Sequence, residues 1–114
     1  MNEEMNKAIK VLIEMIKHDY ENFLTRGEDG EMSNYCKQQM ENFYNDIEVR
    51  PGQKYIKIIR DRSVWGFIVN TENDKKFKYG DILKAAGWNA PARNQARGNL
   101  FTGYDVFWTG PRYL

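Results

Sequence analysis

KYIKIIRDRSVWGFIVN, residues 54–70, is the stretch that indicates how the second half of this chain folds. Two runs rich in β-branched and aromatic residues, 54–60 and 64–70, are separated by the polar triplet 61–63. Runs of this composition, joined by a short polar connection, are typical of a β-hairpin. We therefore expect the second half of the chain to contain two antiparallel strands at these positions.

Further strands are predicted after the polar turn 71–76 that follows the hairpin. Pro51 marks the change from helical to strand patterning. Short strand candidates lie at 77–79 and 82–83, and a closing strand is predicted at 104–109. Four or five strands of this length form a small antiparallel sheet or an open barrel.

Two amphipathic helices are predicted ahead of the strands. Apolar side chains recur there at intervals of three or four residues, the spacing that places them on one face of a helix. The first stripe ends before Gly27 and consists of Met5, Ile9, Leu12, Ile16, Tyr20 and Phe23. The second consists of Met32, Cys36, Met40, Phe43 and Ile47, with Asp29 or Ser33 as its N-terminal cap.

The predicted fold class is therefore α+β. The connection between the two apolar stripes is short, so we expect a helical hairpin over residues 1–48. It packs on a small antiparallel sheet or open barrel formed by the β-rich, ligand-binding residues 49–114. A chain of 114 residues with 41% hydrophobic content supplies one core, so a single domain is expected.

Charge is divided unevenly along the chain. Residues 1–50 carry six basic and eleven acidic groups, a net charge of −5, and residues 51–114 carry eleven and five, a net charge of +6. Surfaces of opposite charge attract each other between copies of a chain. Together with a large number of apolar side chains for so short a chain, this predicts a homo-oligomer, at least a dimer.

Residues 80–99, GDILKAAGWNAPARNQARGN, combine features that a nucleotide-like anion requires. Small residues leave backbone N–H groups uncovered, cationic side chains match phosphate, and the indole of Trp88 offers a face to a base. The wider window 75–97 holds six cationic residues against Asp81 alone, a net charge of +5. The candidate ligand-binding residues are Phe77, Lys84, Trp88, Asn89, Arg93, Asn94, Arg97 and Asn99.

The same segment has a structural interpretation. It also reads as a solvated lysine-rich turn followed by a small-residue loop that packs closely on its neighbours. Most aromatic residues of the second half are expected in the core. Phe77, Trp88 and Phe101 are the stacking candidates, because they lie beside predicted loops.

Residue types that support catalysis or metal binding are scarce. His18 and Cys36 are the only residues of their kind, and both fall on predicted helices, where Cys36 is expected to pack as a small hydrophobic residue. One His and one Cys do not complete a zinc site. The acidic residues around 28–31 read as a solvated loop, and no Walker or dinucleotide fingerprint is present. We therefore expect a protein that is not an enzyme and that has no metal and no cofactor.

Location is indicated by the single cysteine and by the hydropathy pattern. One cysteine allows no intramolecular disulfide, which favours a reducing compartment. The apolar run 11–13 is interrupted by Glu14 and Lys17, so neither a signal peptide nor a membrane span is predicted. A cytoplasmic protein is expected.

The segment FKYGDILKAAGWNAPARNQARGN, with the flanking KYIKI, SVWGFIV and WTGPRYL, resembles a widespread family of small tailed-phage proteins. The resemblance covers residues 49–114, and APARN and ARGN are its most specific parts. Such proteins are similar to the Thoeris anti-defence sponge proteins, which sequester cyclic ADP-ribose isomers made by bacterial TIR-domain immune enzymes; some also trap cyclic oligonucleotides.

The resemblance implies a non-catalytic oligomer in the host cytoplasm whose pockets hold a pyrophosphate and an adenine. In this sequence, side-chain chemistry places the phosphates at Arg93 and Arg97 and the base at Phe77 or Trp88. Asn89, Asn94 and Asn99 are expected to bind the ribose or the base edge.

Two other functions stay open. The same basic surface suits a phage module that binds nucleic acid or inhibits an acidic host protein. An enzyme acting on nucleotides is the third alternative, and it lacks a recognisable nucleophile in the sequence.

Overall fold

The structure, a computed structural model, describes residues 2–25, 34–60, 62–107 and 109–111. It begins with two helices, α1 (Glu3–Thr25) and α2 (Asn34–Asn45). An antiparallel sheet of strand order β1-β2-β3-β4 follows, formed by β1 (Ile47–Pro51), β2 (Tyr55–Arg60), β3 (Ser63–Val69) and β4 (Ile82–Leu83). Two short ladders pair β5 (Gly98–Asn99) with β6 (Gly103–Tyr104), and β7 (Val106–Phe107) with β8 (Gly110–Pro111). The predicted α+β class is confirmed, and the sheet is open.

Helix α1 presents an apolar stripe to the core. Met5 and Ile16 of this stripe are at most 1% exposed. The Met5 N–H donates to Oδ1 of Asn2 at 2.7 Å, which caps the helix by satisfying a donor that has no partner within the first turn. The predicted stripe is buried or half-buried as far as Tyr20, whereas Phe23 is mostly exposed.

The second helix ends earlier than the apolar spacing predicts. Its Phe43 stacks on Tyr20 of α1, with ring centroids 4.1 Å apart. Ile47, predicted as the last residue of the helical stripe, instead begins β1 and pairs with Arg60 of β2. The helical prediction is wrong there because Ile47 also alternates with Val49 along one face of a strand, and pairing with β2 decides between the two patterns.

Part of the helical prediction falls on residues that the structure does not describe. These are the candidate caps Asp29 and Ser33, Met32 of the second stripe, the connection between the helices, and the side chains of Cys36 and Met40. Within the described ranges, neither helix combines the length and apolar character needed to cross a bilayer.

The hairpin predicted from residues 54–70 is present as β2 and β3. Their register runs from Tyr55 opposite Val69 to Arg60 opposite Ser63, with a bulge between Ile58 and Ile59. Strand β1 is an edge strand of the sheet. Pro51 has no backbone N–H to donate, and an edge strand tolerates this because one of its sides is not paired.

The strand predicted at 77–79 is wrong. Aspartate side chains accept hydrogen bonds from the backbone N–H groups that would otherwise pair with a neighbouring strand. Oδ1 of Asp74 accepts the N–H groups of Lys76 and Phe77, and Oδ2 of Asp81 accepts that of Lys78. Local bonds from aspartate to the backbone hold this stretch in turns instead.

The closing strand predicted at 104–109 is also wrong as one element. Its described residues belong to two separate ladders, in which Tyr104 pairs with Gly98 and Phe107 with Gly110. Trp65 of β3 ties the second ladder to the sheet, because its Nε1–H donates to the Phe107 carbonyl oxygen at 2.8 Å.

The sheet is covered on both faces. The helices pack on one face, where Ile56, Ile58 and Ile68 meet α1 and Phe43. On the other face, Phe67, Val69, Phe77 and Leu83 form a second cluster, with Ala85 and Ala96 packed against it. Each fully buried aliphatic or aromatic side chain of these clusters contributes about 1.5–3 kcal/mol. The second face, called here the outer face, carries most of the residues predicted to bind a ligand.

Candidate functional site

Residues 84–97, called here the covering loop, lie over the outer face of the sheet. The loop is held by backbone bonds near its ends: the Ala92 N–H donates to the Lys84 carbonyl oxygen and the Arg97 N–H to that of Ile82, each at 2.7 Å. Its tip turns back through a bond from the Ala86 N–H to the carbonyl oxygen of Ala90 at 2.9 Å. The loop is therefore a fixed structure that carries exposed side chains at its tip.

The tip of the covering loop brings an aromatic ring to two cations of the sheet. The indole of Trp88 is 45% exposed. Nζ of Lys57 lies 4.6 Å from its ring centroid, and the guanidinium carbon of Arg50 lies 5.8 Å from it. Nζ of Lys57 also donates to Oδ1 of Asn89 at 2.9 Å. We call Arg50, Lys57, Trp88 and Asn89 the Trp88 platform.

The sheet explains why these cations meet. Arg50 and Lys57 are opposite partners in the β1–β2 ladder, so their side chains leave the same face. The attraction of a cation to an aromatic ring face at such distances is about 0.5–1 kcal/mol at exposed sites. The platform opens onto a groove of about 850 Å³, whose lining includes Glu48, Ile59 and Arg62.

A second cluster forms around Arg93. Its Nη1 and Nη2 donate to the two carboxylate oxygens of Asp74, both at 3.0 Å, and Nη1 also donates to the Tyr55 hydroxyl. The guanidinium carbon lies 4.9 Å from the ring centroid of Phe77. The Asp74 side chain is 1% exposed and that of Arg93 is 38% exposed. A buried carboxylate thus fixes a partly exposed guanidinium.

This ion pair keeps both of its charges. The hydrogen bond from Arg93, followed by the backbone N–H groups of Phe77 and Lys76, lowers the pKa of Asp74 well below its ordinary value. The bond to Asp74 correspondingly raises the pKa of Arg93. Beside the pair lies a pocket of about 470 Å³, lined by Gln53, Lys54, Thr71, Asn73, Asp74, Lys75 and Arg93. We call it the Arg93 pocket.

Strand β2 links the two clusters. Tyr55 contacts Arg93 and Lys57 contacts Trp88, and the two strand residues are separated by one position. Alternate residues of a strand share a face and lie roughly 7 Å apart. The platform and the Arg93 pocket are therefore neighbours on one surface.

Two of the predicted ligand-binding residues are part of the folded framework. Phe77 is 5% exposed and lies beneath the Arg93 guanidinium, so it does not offer an open face to a base. Asn99 is buried, and its amide donates to the carbonyl oxygen of Tyr79 and to Oδ1 of Asp81, both at 2.9 Å. Its own Oδ1 accepts the Phe101 N–H at 2.8 Å.

Arg93 and Arg97, the residues predicted to bind the phosphates, both have hydrogen-bond partners within the protein. Arg93 is paired with Asp74. Arg97 is 8% exposed, and its Nε and Nη2 donate to the Gln95 carbonyl oxygen at 3.3 Å and to Oδ1 of Asn94 at 3.4 Å. Lys84 lies elsewhere, in the lining of a cavity of about 130 Å³ that includes Phe107.

Sequence reasoning misses several residues of this surface. The sequence pattern presents Arg50, Lys54 and Lys57 only as strand residues or their neighbours, and Asp74 only as part of a polar turn. A usable signal nevertheless exists: Tyr55 and Lys57 alternate with Ile56 and Ile58, which places both on the face opposite the isoleucines. No comparable signal links Asp74 to Arg93.

Groups of acidic, His and Cys side chains do not assemble into a metal-binding cluster among the residues that the structure describes. His18 is exposed on α1, where it lines a groove together with Val11 and Met15. The covering loop and the strand residues beside it offer cations, an indole and amides.

Comparison with known proteins identifies one family. The profile of a family of unknown function, DUF7717, matches residues 1–109. No curated protein and no solved structure matches the chain. The family match spans both helices, the sheet and the covering loop, so the chain belongs to DUF7717, a family of unknown function.

Proposed function

We propose that this protein is a non-catalytic binding protein for a small, nucleotide-like anion. The observation that carries the proposal is the Trp88 platform, where a half-exposed indole, two cations and an amide meet on a fixed loop. An aromatic face suits a base, and cations suit the phosphates attached to it. The Arg93 pocket, two positions away along β2, supplies further positive charge.

Each part of the platform has a role in this proposal. A base stacks on Trp88, an interaction worth about 1–3 kcal/mol per base. Lys57 neutralises phosphate charge, and Arg50, whose Nε lies 3.0 Å from Oε2 of Glu48, contributes its Nη donors. Asn89 uses its Oδ1 for Lys57, so its Nδ2 donor is the group that meets a base edge or a ribose oxygen.

The biological role that we propose follows from the resemblance of residues 49–114 to small tailed-phage proteins. In that role the protein sequesters a cyclic nucleotide immune signal in the host cytoplasm, with cyclic ADP-ribose isomers as the first ligand class and cyclic oligonucleotides as the second. Sequestration requires tight binding and no reaction. It also agrees with an oligomer, which multiplies the number of sites.

Calorimetry tests this proposal directly. Cyclic ADP-ribose isomers and cyclic dinucleotides are titrated into the wild type, Trp88→Ala and Phe23→Ala, the last being a control at an exposed aromatic on α1. We expect binding by the wild type and the control, and a loss of about ten- to a hundredfold for Trp88→Ala. The proposal fails if the wild type binds none of these ligands, or if Trp88→Ala binds them as tightly as the wild type.

A nucleic-acid-binding or host-inhibitor module is the second candidate. It is favoured by the extent of the cationic surface, which runs from Arg50 and Lys57 to Lys54, Lys75 and Arg93. Binding to a phosphate backbone weakens steeply with salt because counterions are released. A steep salt dependence with long oligonucleotides, combined with no affinity for cyclic nucleotides, would favour this alternative.

A further inference from the structure

The guanidinium of Arg93 has a second fork that the ion pair leaves unused. A guanidinium carries five N–H donors. Both donors of Nη1 and one donor of Nη2 are occupied, by Tyr55 and Asp74. The remaining two, on Nε and Nη2, have no hydrogen-bond partner among the described residues. These two N–H groups lie side by side and parallel, which is the arrangement that binds two oxygens of one phosphate or carboxylate.

The surroundings of this fork are positively charged. Arg93, Lys54 and Lys75 line the pocket together with one acid, Asp74. Asp74 uses both oxygens on Arg93, and its Oδ1 accepts two backbone N–H groups as well. Its negative charge is therefore fully engaged, and the pocket keeps a net charge of about +2. Gln53, Thr71 and Asn73 add neutral polar groups to the lining.

The fork is held in place before any ligand arrives. Asp74 and Tyr55 fix one side of the guanidinium, the Phe77 ring supports its face, and Nζ of Lys76 donates to the Arg93 carbonyl oxygen at 2.6 Å. A side chain already fixed in its binding conformation loses little entropy when a ligand binds. These contacts therefore hold Arg93 in a conformation from which its remaining N–H groups can donate to a ligand.

We propose that the Arg93 pocket is an oxyanion site for a dianionic phosphate group, in which the unused Arg93 fork binds two oxygens and Lys54 and Lys75 neutralise the remaining charge. The pocket's net charge favours a phosphate monoester or a pyrophosphate over a monoanionic carboxylate. This inference deepens the proposed function, since it rests on a nucleotide-like ligand and assigns its phosphates to a place apart from Trp88.

Inorganic pyrophosphate and inorganic phosphate are the probes, because neither carries a base. Binding is followed by NMR through the Nε–H resonance of Arg93, with acetate as the monoanionic comparison. We expect saturable shifts of this resonance with pyrophosphate and phosphate and weaker effects with acetate. No saturable shift of Nε–H with either phosphate probe would overturn the proposal.

Variants separate the fork from charge alone. Arg93→Lys keeps the charge and removes the fork, and we expect it to weaken pyrophosphate binding by about tenfold or more. Arg60→Lys, at the end of β2 where the guanidinium carbon lies 5.8 Å from the Phe43 ring centroid, is the matched control and should bind like the wild type. The double variant Lys54→Gln, Lys75→Gln alters only exposed positions, so it tests the pocket even if Arg93→Lys is poorly folded. Unchanged affinity in the double variant would also overturn the proposal.

Failure of this site is distinguishable from failure of the proposed function. Adenosine has a base and no phosphate, so quenching of tryptophan fluorescence by adenosine that occurs in the wild type and is lost in Trp88→Ala reports the platform alone. Adenosine binding without pyrophosphate binding would refute the phosphate site and leave the proposed function standing. Pyrophosphate binding without any effect of Trp88→Ala on nucleotide affinity would refute the proposed function and leave the phosphate site standing.

Discussion

Asp74 shows how one residue organises the candidate site. Its carboxylate accepts two N–H groups of the following turn and both end nitrogens of Arg93, although only 1% of its side chain is exposed. The first two bonds hold Lys76 and Phe77 in a turn, and the last two fix the guanidinium over Phe77. A single aspartate therefore decides both the local backbone and the position of the cation.

The Arg93–Asp74 pair predicts a specific pH dependence of stability. The pKa of Asp74 is lower in the folded protein than its ordinary value of 3.8, so the pair stabilises the fold above pH 3.8 and this contribution is lost as the pH falls below it. Asp74→Asn should therefore be less stable than the wild type at pH 7, and the difference should shrink below about pH 4.

Urea unfolding of both proteins across this range checks the prediction. Glu72→Gln, which removes an exposed acid on the neighbouring turn, is the control and should leave stability unchanged. A constant difference between wild type and Asp74→Asn down to about pH 2 would show that the charge of Asp74 contributes nothing.

Asn99 and Asn94 provide a matched pair for separating framework from ligand binding. The buried Asn99 makes three hydrogen bonds, whereas Asn94 is exposed. Removing a buried group and leaving its partners unpaired costs about 1–3 kcal/mol. We expect Asn99→Ala to lower the free energy of unfolding by this amount and Asn94→Ala to change it by less than about 0.5 kcal/mol, as measured by urea unfolding. Equal effects of the two variants would contradict the framework role of Asn99.

At the scale of elements, glycines distinguish the turn before β4 from the tip of the covering loop. Gly80 has a φ of +88°, and a Cβ there would lie 2.7 Å from the Phe101 ring, which itself stacks on Tyr79. At the loop tip, Gly87 does not have a positive φ, and a Cβ added to it would meet no other atom within 4 Å. Gly80 is therefore required by its positive φ and by the nearby Phe101 ring, whereas Gly87 is not required by either feature.

Alanine substitution tests this contrast. Gly80→Ala should destabilise the protein by about 1–3 kcal/mol, because it combines an unfavourable φ with a clash. Gly87→Ala should be neutral, or stabilising by up to about 1 kcal/mol through a less flexible unfolded chain. Thermal unfolding of the two variants measures both effects. A strong loss of stability in Gly87→Ala would show that the tip is more constrained than its contacts indicate.

At the scale of the whole molecule, we propose the exposed side of α1 as the surface for self-association. Val11 and Met15 are 55% and 40% exposed on this side, beside a groove of about 650 Å³. Along α1, Lys10 lies toward one end of the groove and Asp19 toward the other, with Glu14 between them. Two copies of α1 in antiparallel contact bring these opposite charges together, whereas a parallel contact places like charges opposite each other.

We therefore expect a homo-oligomer, at least a dimer, at micromolar concentration. Light scattering should give a mass above the 13.5 kDa of one chain. The double variant Val11→Ser, Met15→Ser should shift the mass toward the monomer, while Phe107→Ser, at an exposed position of β7, should not. A wild-type mass of 13.5 kDa under these conditions would refute the prediction.

The sequence alone determined the elements whose signal is local. The apolar spacing of α1 and the alternation along β2 and β3 are repeated several times within one segment, so neighbouring residues reinforce the same interpretation. The exposure of Trp88 and Asn89 is predictable for a similar reason, since small residues on both sides of them indicate a loop. The signal is ambiguous at Ile47, which fits both the helical and the strand spacing. It is also ambiguous at 77–79, where hydrogen bonds from the backbone to aspartate side chains take the place of strand pairing.

Only the tertiary structure decided which of these residues meet. Arg93 pairs with Asp74, 19 residues earlier, and Lys57 meets Asn89, 32 residues later. Neither separation corresponds to a helical or strand period, so no sequence pattern records it. These contacts arise because the covering loop folds back over the outer face of the sheet, and the direction of that return depends on packing against Phe67 and Leu83. Local periodicity fixes the elements, and long-range packing fixes the site.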